Sequence, residues 1–163
     1  KAKLKKAILK GANLKDAKLF RADLTDAELN YAVLENTNLR NSKLKKANLS
    51  NAKLKEANLT NAKLKKATLV NASLKKAKLR RADLTNANLT NAELKRANLS
   101  SANLEEANLY KASLIGAKLR KTDFTRAYLK NADFKKANLT SANLNGANLR
   151  NTNFFNIKFF CQA

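Results

Sequence analysis

The chain has 163 residues, enough to bury a core, yet it contains no Trp, Met or Pro and only 6% aromatic residues, which sets it apart from an ordinary globular interior. Against 12 Asp and Glu stand 34 Lys and Arg, a formal net charge of +22 that bears on anionic partners and not on fold. Without His there are no Ser-His or Cys-His nucleophile pairs and no imidazole metal ligands, and the single cysteine, Cys161, excludes an intramolecular disulfide.

From Leu4 onward every fifth residue is Leu or Phe, through Leu9, Leu14 and Leu19 to Phe159, at 32 positions without an exception or an insertion. Two residues before each of these centres stands Ala, with departures at Thr37, Ser42, Thr122, Thr152 and Ile157. On an α-helix, residues five apart are separated by about 140°, so the leucines would spiral around the cylinder. On a flat strand the period of two would send successive leucines to opposite faces. The pattern is met instead by short extended segments that bring Ala and Leu to one side, each followed by a turn. Four such turns close a square, and a coil of 20 residues stacks on the next.

The run A(N/D)LXX, as in Ala22-Asp23-Leu24-Thr25-Asp26, Ala87-Asn88-Leu89 and Ala147-Asn148-Leu149, resembles the pentapeptide repeat over residues 2 to about 160. The resemblance implies an all-β fold, a right-handed quadrilateral parallel β-helix, here of about eight coils of 20 residues. It implies a single β-helix domain over 1–163, with 151–163 as a C-terminal cap or contact segment. Some members of that family resemble duplex DNA in shape and negative charge and are thought to occupy the DNA site of type II topoisomerases. A net charge of +22 has the opposite sign, which disfavours a topoisomerase-interacting role.

With 20 residues per coil, the repeats sort onto four walls, named here by their first residues: Ala2, Ala7, Ala12 and Ala17. Their net charges are about +4, +3, +4 and +10, and the Ala17 wall contains no acidic residue. Its cations, in chain order, are Lys18, Arg21, Arg40, Lys78, Arg80, Arg81, Lys118, Arg120, Lys121 and Lys158, densest in the 77–81 and 117–121 repeats, two coils apart. These residues are the candidate polyanion-binding set. A rod of eight coils at ~4.8 Å would carry about one net positive charge per 1.8 Å, against one negative charge per ~1.7 Å of duplex DNA. Elsewhere the register stacks Asp23 between Lys3 and Lys43, puts Lys43 against Lys63, and lines up Asn51, Asn71 and Asn91 as an amide ladder. Threonines are scattered among cations, so no ice-binding array is formed. Glu105 and Glu106 read as a solvated pair, and Gly11, Gly116 and Gly146 fall at turn positions, not in a phosphate loop.

At the C-terminal end Phe154 and Phe159 occupy centre positions, Ile157 replaces an Ala, and Phe155 and Phe160 fall on outward positions. The five are candidates for a cap or for self-association through a C-terminal homodimer, which the resemblance also implies. No stretch approaches 18 consecutive apolar residues, so integral membrane association is not expected. A cytoplasmic setting is favoured, with a removed leader left open because the chain begins at Lys1. The functional expectation is a non-enzymatic scaffold without cofactor or metal, binding nucleic acid first and anionic membrane surfaces second. The alternative is a structural or protein-interaction rod whose charge only confers solubility.

Overall fold

A computed structural model describes residues 2–159 of the chain. A turn in every repeat leaves about three residues extended, too few for a regular strand. The chain accordingly forms isolated parallel bridges, each joining a residue to the one 20 positions later, from Lys3 with Asp23 to Asn138 with Lys158. The all-β architecture therefore stands as a stack of single-residue bridges separated by turns, not as a set of long strands. Since four five-residue repeats fill each 20-residue step, equivalent positions of every fourth repeat stand in columns.

Backbone accounting explains why the motif has its particular residues, and the 87–91 repeat shows every donor in use. Asn88 N–H donates down the stack to Ala67 O at 2.9 Å, while Leu89 and Asn91 donate up it to Asn108 O and Tyr110 O at 2.7 and 2.9 Å. Ala87 N–H closes the preceding turn on Leu84 O at 2.9 Å. The fifth donor, Thr90 N–H, points along the wall and is taken by the Asn88 side chain, Oδ1, at 3.0 Å. An Asn or Asp before the centre thus serves the backbone, an Asx bond within one repeat. The Thr90 hydroxyl donates to the same Oδ1 at 2.7 Å.

The second residue after each centre has φ between 55° and 66°, and it alone in the repeat is positive, the signature of a type II turn. Gly11, Gly116 and Gly146 take this position without strain, and Asn is its commonest occupant. No Val, Ile or Thr is found there, although the adjacent position holds Thr25, Val70 and Ile115. A branched Cβ is least tolerated at positive φ.

The centres from Leu19 to Leu139 are buried, with Phe124 and Phe134 among them in edge-to-face contact at 5.8 Å. Burial of the centres is incomplete at the two ends of the described stack. Leu4, Leu9, Leu14 and Leu144 are only half-buried, and Leu149 and Phe159 are 37% and 47% exposed, because each lies in a first or last described coil with a neighbour on one side. The threonines that replace Ala are accommodated by hydrogen bonds: the Thr37, Thr122 and Thr152 hydroxyls donate to Leu14 O, Leu99 O and Leu129 O at 2.8, 2.9 and 2.9 Å. Ser42 is different, for its Oγ is buried with no partner among the described residues.

Two substitutions at the Ala position should therefore have opposite signs. Ala87→Leu overpacks the shaft and is expected to lower stability by about 1–3 kcal/mol. Ser42→Ala removes an unpaired buried hydroxyl and should raise it by about 1 kcal/mol. Thermal melts followed by circular dichroism read both; a melt of Ala87→Leu that matched the parent would contradict the packing.

Candidate anion-binding wall

Each wall presents three outward positions per repeat: one before the centre and two after it. On the Ala17 wall the position before the centre reads Lys18, Asn38, Asn58, Lys78, Asn98, Lys118, Asn138 and Lys158 up the stack. The first position after the centre reads Phe20, Arg40, Thr60, Arg80, Ser100, Arg120 and Thr140. Charged and neutral rows therefore alternate in the upper half. The 77–81 and 117–121 rows carry three cations each, and the 97–101 row between them carries none.

This alternation shapes the surface. The short side chains of Ser100 and Ser101, with Asn98, floor a shallow depression of about 430 Å³ whose rims are Arg80 and Arg81 on one side and Arg120 and Lys121 on the other. Asn98 Oδ1 accepts the Ser100 N–H at 3.1 Å, which ties the neutral row to the backbone. Lys78 and Lys118 carry no acceptor with which to make the same bond, so those rows exchange a backbone tie for a cation. Among the described residues none of the six cations in the two rows forms an ion pair. Their charge is left unpaired among the described residues.

The other walls differ in this respect. On the Ala2 wall a second depression of about 390 Å³ is lined by Lys5, Lys43, Lys45, Lys63 and Lys65, but also by Asp23 and Asp83, and Asp23 lies 3.9 Å from Lys43. Asp23 bridges to both Lys3 and Lys43, and Lys43 stacks on Lys63, as the register requires. Glu105 and Glu106 are not merely solvated: Arg126 reaches both, at 2.5 and 2.8 Å. The amide ladder is present, with Asn71 donating to Asn51 and Asn91 to Asn71 at 3.3 and 3.2 Å.

All ten predicted cations are exposed, but only four converge. Arg80, Arg81, Arg120 and Lys121 rim the depression, while Lys78 and Lys118 share their rows farther along the wall. Lys18, Arg21 and Arg40 lie toward the N-terminal end, where the Arg21 guanidinium sits 5.0 Å from the Phe20 ring. Lys158 stands two coils above Lys118. Sequence reasoning missed Asn98, Ser100 and Ser101, because charge was the quantity counted and these residues have none; their signal was the twenty-residue offset from each cationic row. Of the apolar end set, Phe154 stacks on Phe134 at 5.3 Å, Ile157 is half-buried and Phe155 is 65% exposed. Phe160 and Cys161 lie outside the described residues.

Parallel bridges at a constant offset, a Leu-lined shaft and outward columns of polar residues define a repeat solenoid. Family models for pentapeptide repeats match residues 1–30, 17–55 and 52–91, and a pentapeptide repeat region matches 87–159; the chain belongs to the pentapeptide-repeat family. It is similar in structure to HetL, a pentapeptide-repeat protein involved in heterocyst differentiation regulation from the cyanobacterium Nostoc sp. strain PCC 7120. That match has 30% identity and a TM-score of 0.60, covering 90% of this chain and 86% of HetL. A trypsin-treated form of QnrB1, a plasmid-mediated fluoroquinolone resistance protein, shares the fold at 19% identity and a TM-score of 0.53, over 98% of this chain and 87% of the other. No curated protein sequence matches the chain. Among the described residues no group of His, Cys, Asp and Glu could hold a metal ion, and no helix is long and apolar enough to cross a membrane.

On the Ala12 wall one carboxylate has a shifted affinity for protons. A hydrogen bond from Lys75, 2.8 Å away, holds Glu93 below the usual carboxylate range, helped by the Lys75 charge, Ser73 and Lys95 and opposed by partial desolvation. A depressed folded value means that the pair stabilises above the ordinary value of 4.5 and ceases to do so as pH falls through the folded value. With both side chains well exposed the contribution at neutral pH is at most about 1 kcal/mol. Comparing melts at neutral and acid pH, the parent should lose more stability below about pH 4.5 than Glu93→Gln does.

Proposed function

We propose that this chain is a non-enzymatic scaffold that binds polyanions, nucleic acid first, through the Ala17 wall. The observation that carries this reading is the two rows of three unpaired cations on a wall with no acidic residue. Nucleic acid is favoured over an anionic membrane surface because the rod's net charge per unit length matches that of the duplex in size and opposes it in sign. In this reading the chain is one right-handed quadrilateral domain of about eight coils, spanning 1–163, in a cytoplasmic setting. The segment 151–163 acts as a cap or as a contact between two copies, a role supported by the exposure of Phe155 and Phe159 beside Phe154 and Ile157.

A second reading is a structural or protein-interaction rod whose charge only confers solubility; HetL, similar in structure, is described as involved in heterocyst differentiation regulation. Salt dependence separates the two, since displacement of counterions from phosphates gives a log–log slope near −0.9 per neutralised phosphate. Fluorescence anisotropy with labelled DNA and RNA should show binding at about 50 mM salt that weakens along such a line. Reversing the charge of Lys78, Arg80, Arg81, Lys118, Arg120 and Lys121 should weaken it more than reversing Lys3, Lys5, Lys6, Lys43, Lys45 and Lys46, although both changes remove the same charge. No binding at low salt ends the polyanion reading.

A further inference from the structure

We propose, building on the polyanion reading, that the 77–81 and 117–121 rows form a two-rail clamp for duplex DNA, gripping the backbones on either side of one minor groove. Polyanions differ in how their charge is laid out, and the wall's layout is specific. Two rows of three cations run side by side, each ending in the turn at Arg81 or Lys121, and are held about 9.6 Å apart by two coil spacings. Between them lies a neutral row, Asn98, Ser100 and Ser101, sunk below the flanking arginines and lysine.

A single strand offers one line of phosphates and would be best served by cations in one continuous column. Two rails with a neutral valley correspond to two lines of charge with a groove between. B-form DNA has two groove widths, about 6 Å and about 12 Å. Phosphate groups flanking the narrower groove lie somewhat farther apart than its clear width, so rows about 9.6 Å apart, carried on flexible side chains, suit the minor groove and fall short of the major one. Arg80 and Arg120 stand at equivalent positions on either side of Ser100, one for each backbone flanking the groove.

Mutual repulsion of the cations does not by itself explain the spacing. On the Ala2 wall the 42–46 and 62–66 rows carry three lysines each and are adjacent, with Lys43 bridged directly to Lys63. The fold thus tolerates cationic rows one coil apart, and the empty row on the Ala17 wall is a distinct arrangement.

The test is to move one rail without changing the charge. Exchanging the rows by Asn98→Lys, Ser100→Arg and Ser101→Lys together with Lys118→Asn, Arg120→Ser and Lys121→Ser leaves composition and net charge intact but halves the separation. By anisotropy with a labelled 20-base-pair duplex, the exchange should weaken binding at least about fivefold, the parent should prefer duplex over the matching single strand by a similar factor, and its salt slope should approach −5 for six phosphates. Unchanged affinity of a folded exchange variant, or equal affinity for duplex and single strand, overturns the clamp while leaving the polyanion reading in place; absence of any binding removes both. Should the exchange variant not fold, the parent decides: an A·T-rich duplex saturated with a minor-groove-binding dye should bind at least about fivefold more weakly, and indifference to the dye overturns the proposal.

Discussion

Everything in this molecule depends on one geometric constraint, the closure of each coil by four five-residue repeats so that residue n always lies beneath residue n + 20. Leucine supplies the apolar volume that fills the shaft, and alanine two residues earlier is small enough to let four walls approach. The turn then has to fall at the same place in every repeat, which confines branched side chains to positions with negative φ. A single insertion would shift the phase of every later Leu, and none occurs. Stability is consequently built from nearest-neighbour contacts, coil upon coil, as in other linear repeat proteins.

The same constraint turns the outside into a lattice. Outward side chains stand in columns ~4.8 Å apart, so a substitution in one repeat is always judged against those directly above and below it. Opposite charges placed in a column pair, as Lys76 does with Glu56 at 3.3 Å, and amides form ladders, as Asn61 does with Asn41 at 3.0 Å. Exposed pairs of this kind add little to stability singly. Their larger consequence is positional, because a rigid column holds a charge at a known distance from the next. The Ala17 wall uses that property differently from the others: its cations have no partner of opposite sign on the wall, and their rows are kept apart by small neutral residues. Charge left unbalanced on a rigid support is available to an external anion, whereas charge paired within the column is not.

The fold was legible in the residues to an unusual degree. A period of five over Leu4 to Phe159 is incompatible with helix and flat strand alike, and the twenty-residue register followed from closing the square. Charge pairing between neighbouring coils was equally readable, as Asp23 with Lys43 at 3.9 Å illustrates. Less legible were features set by who has no neighbour. The exposure of Leu149 and Phe159 reflects their place in the last described coil, and Ser42 Oγ is buried without a partner among the described residues although Thr122, on the same wall, donates to Leu99 O. Glu105 and Glu106 read as solvated because their cation, Arg126, comes from the next coil and reaches across two positions at once.

The residues alone determined the coil length, the inward positions and the sum of charge on each wall, because these follow from a strict period and from counting. Only the folded chain decided which of the ten cations on the Ala17 wall share a surface. The depression between Arg80 and Arg120 exists because Ser100 is short and stands between them, and shortness matters only once side chains from repeats twenty residues apart are side by side. Periodicity is a one-dimensional property that a sequence carries openly; relief on a surface arises from the heights of neighbours, and neighbours are made by folding.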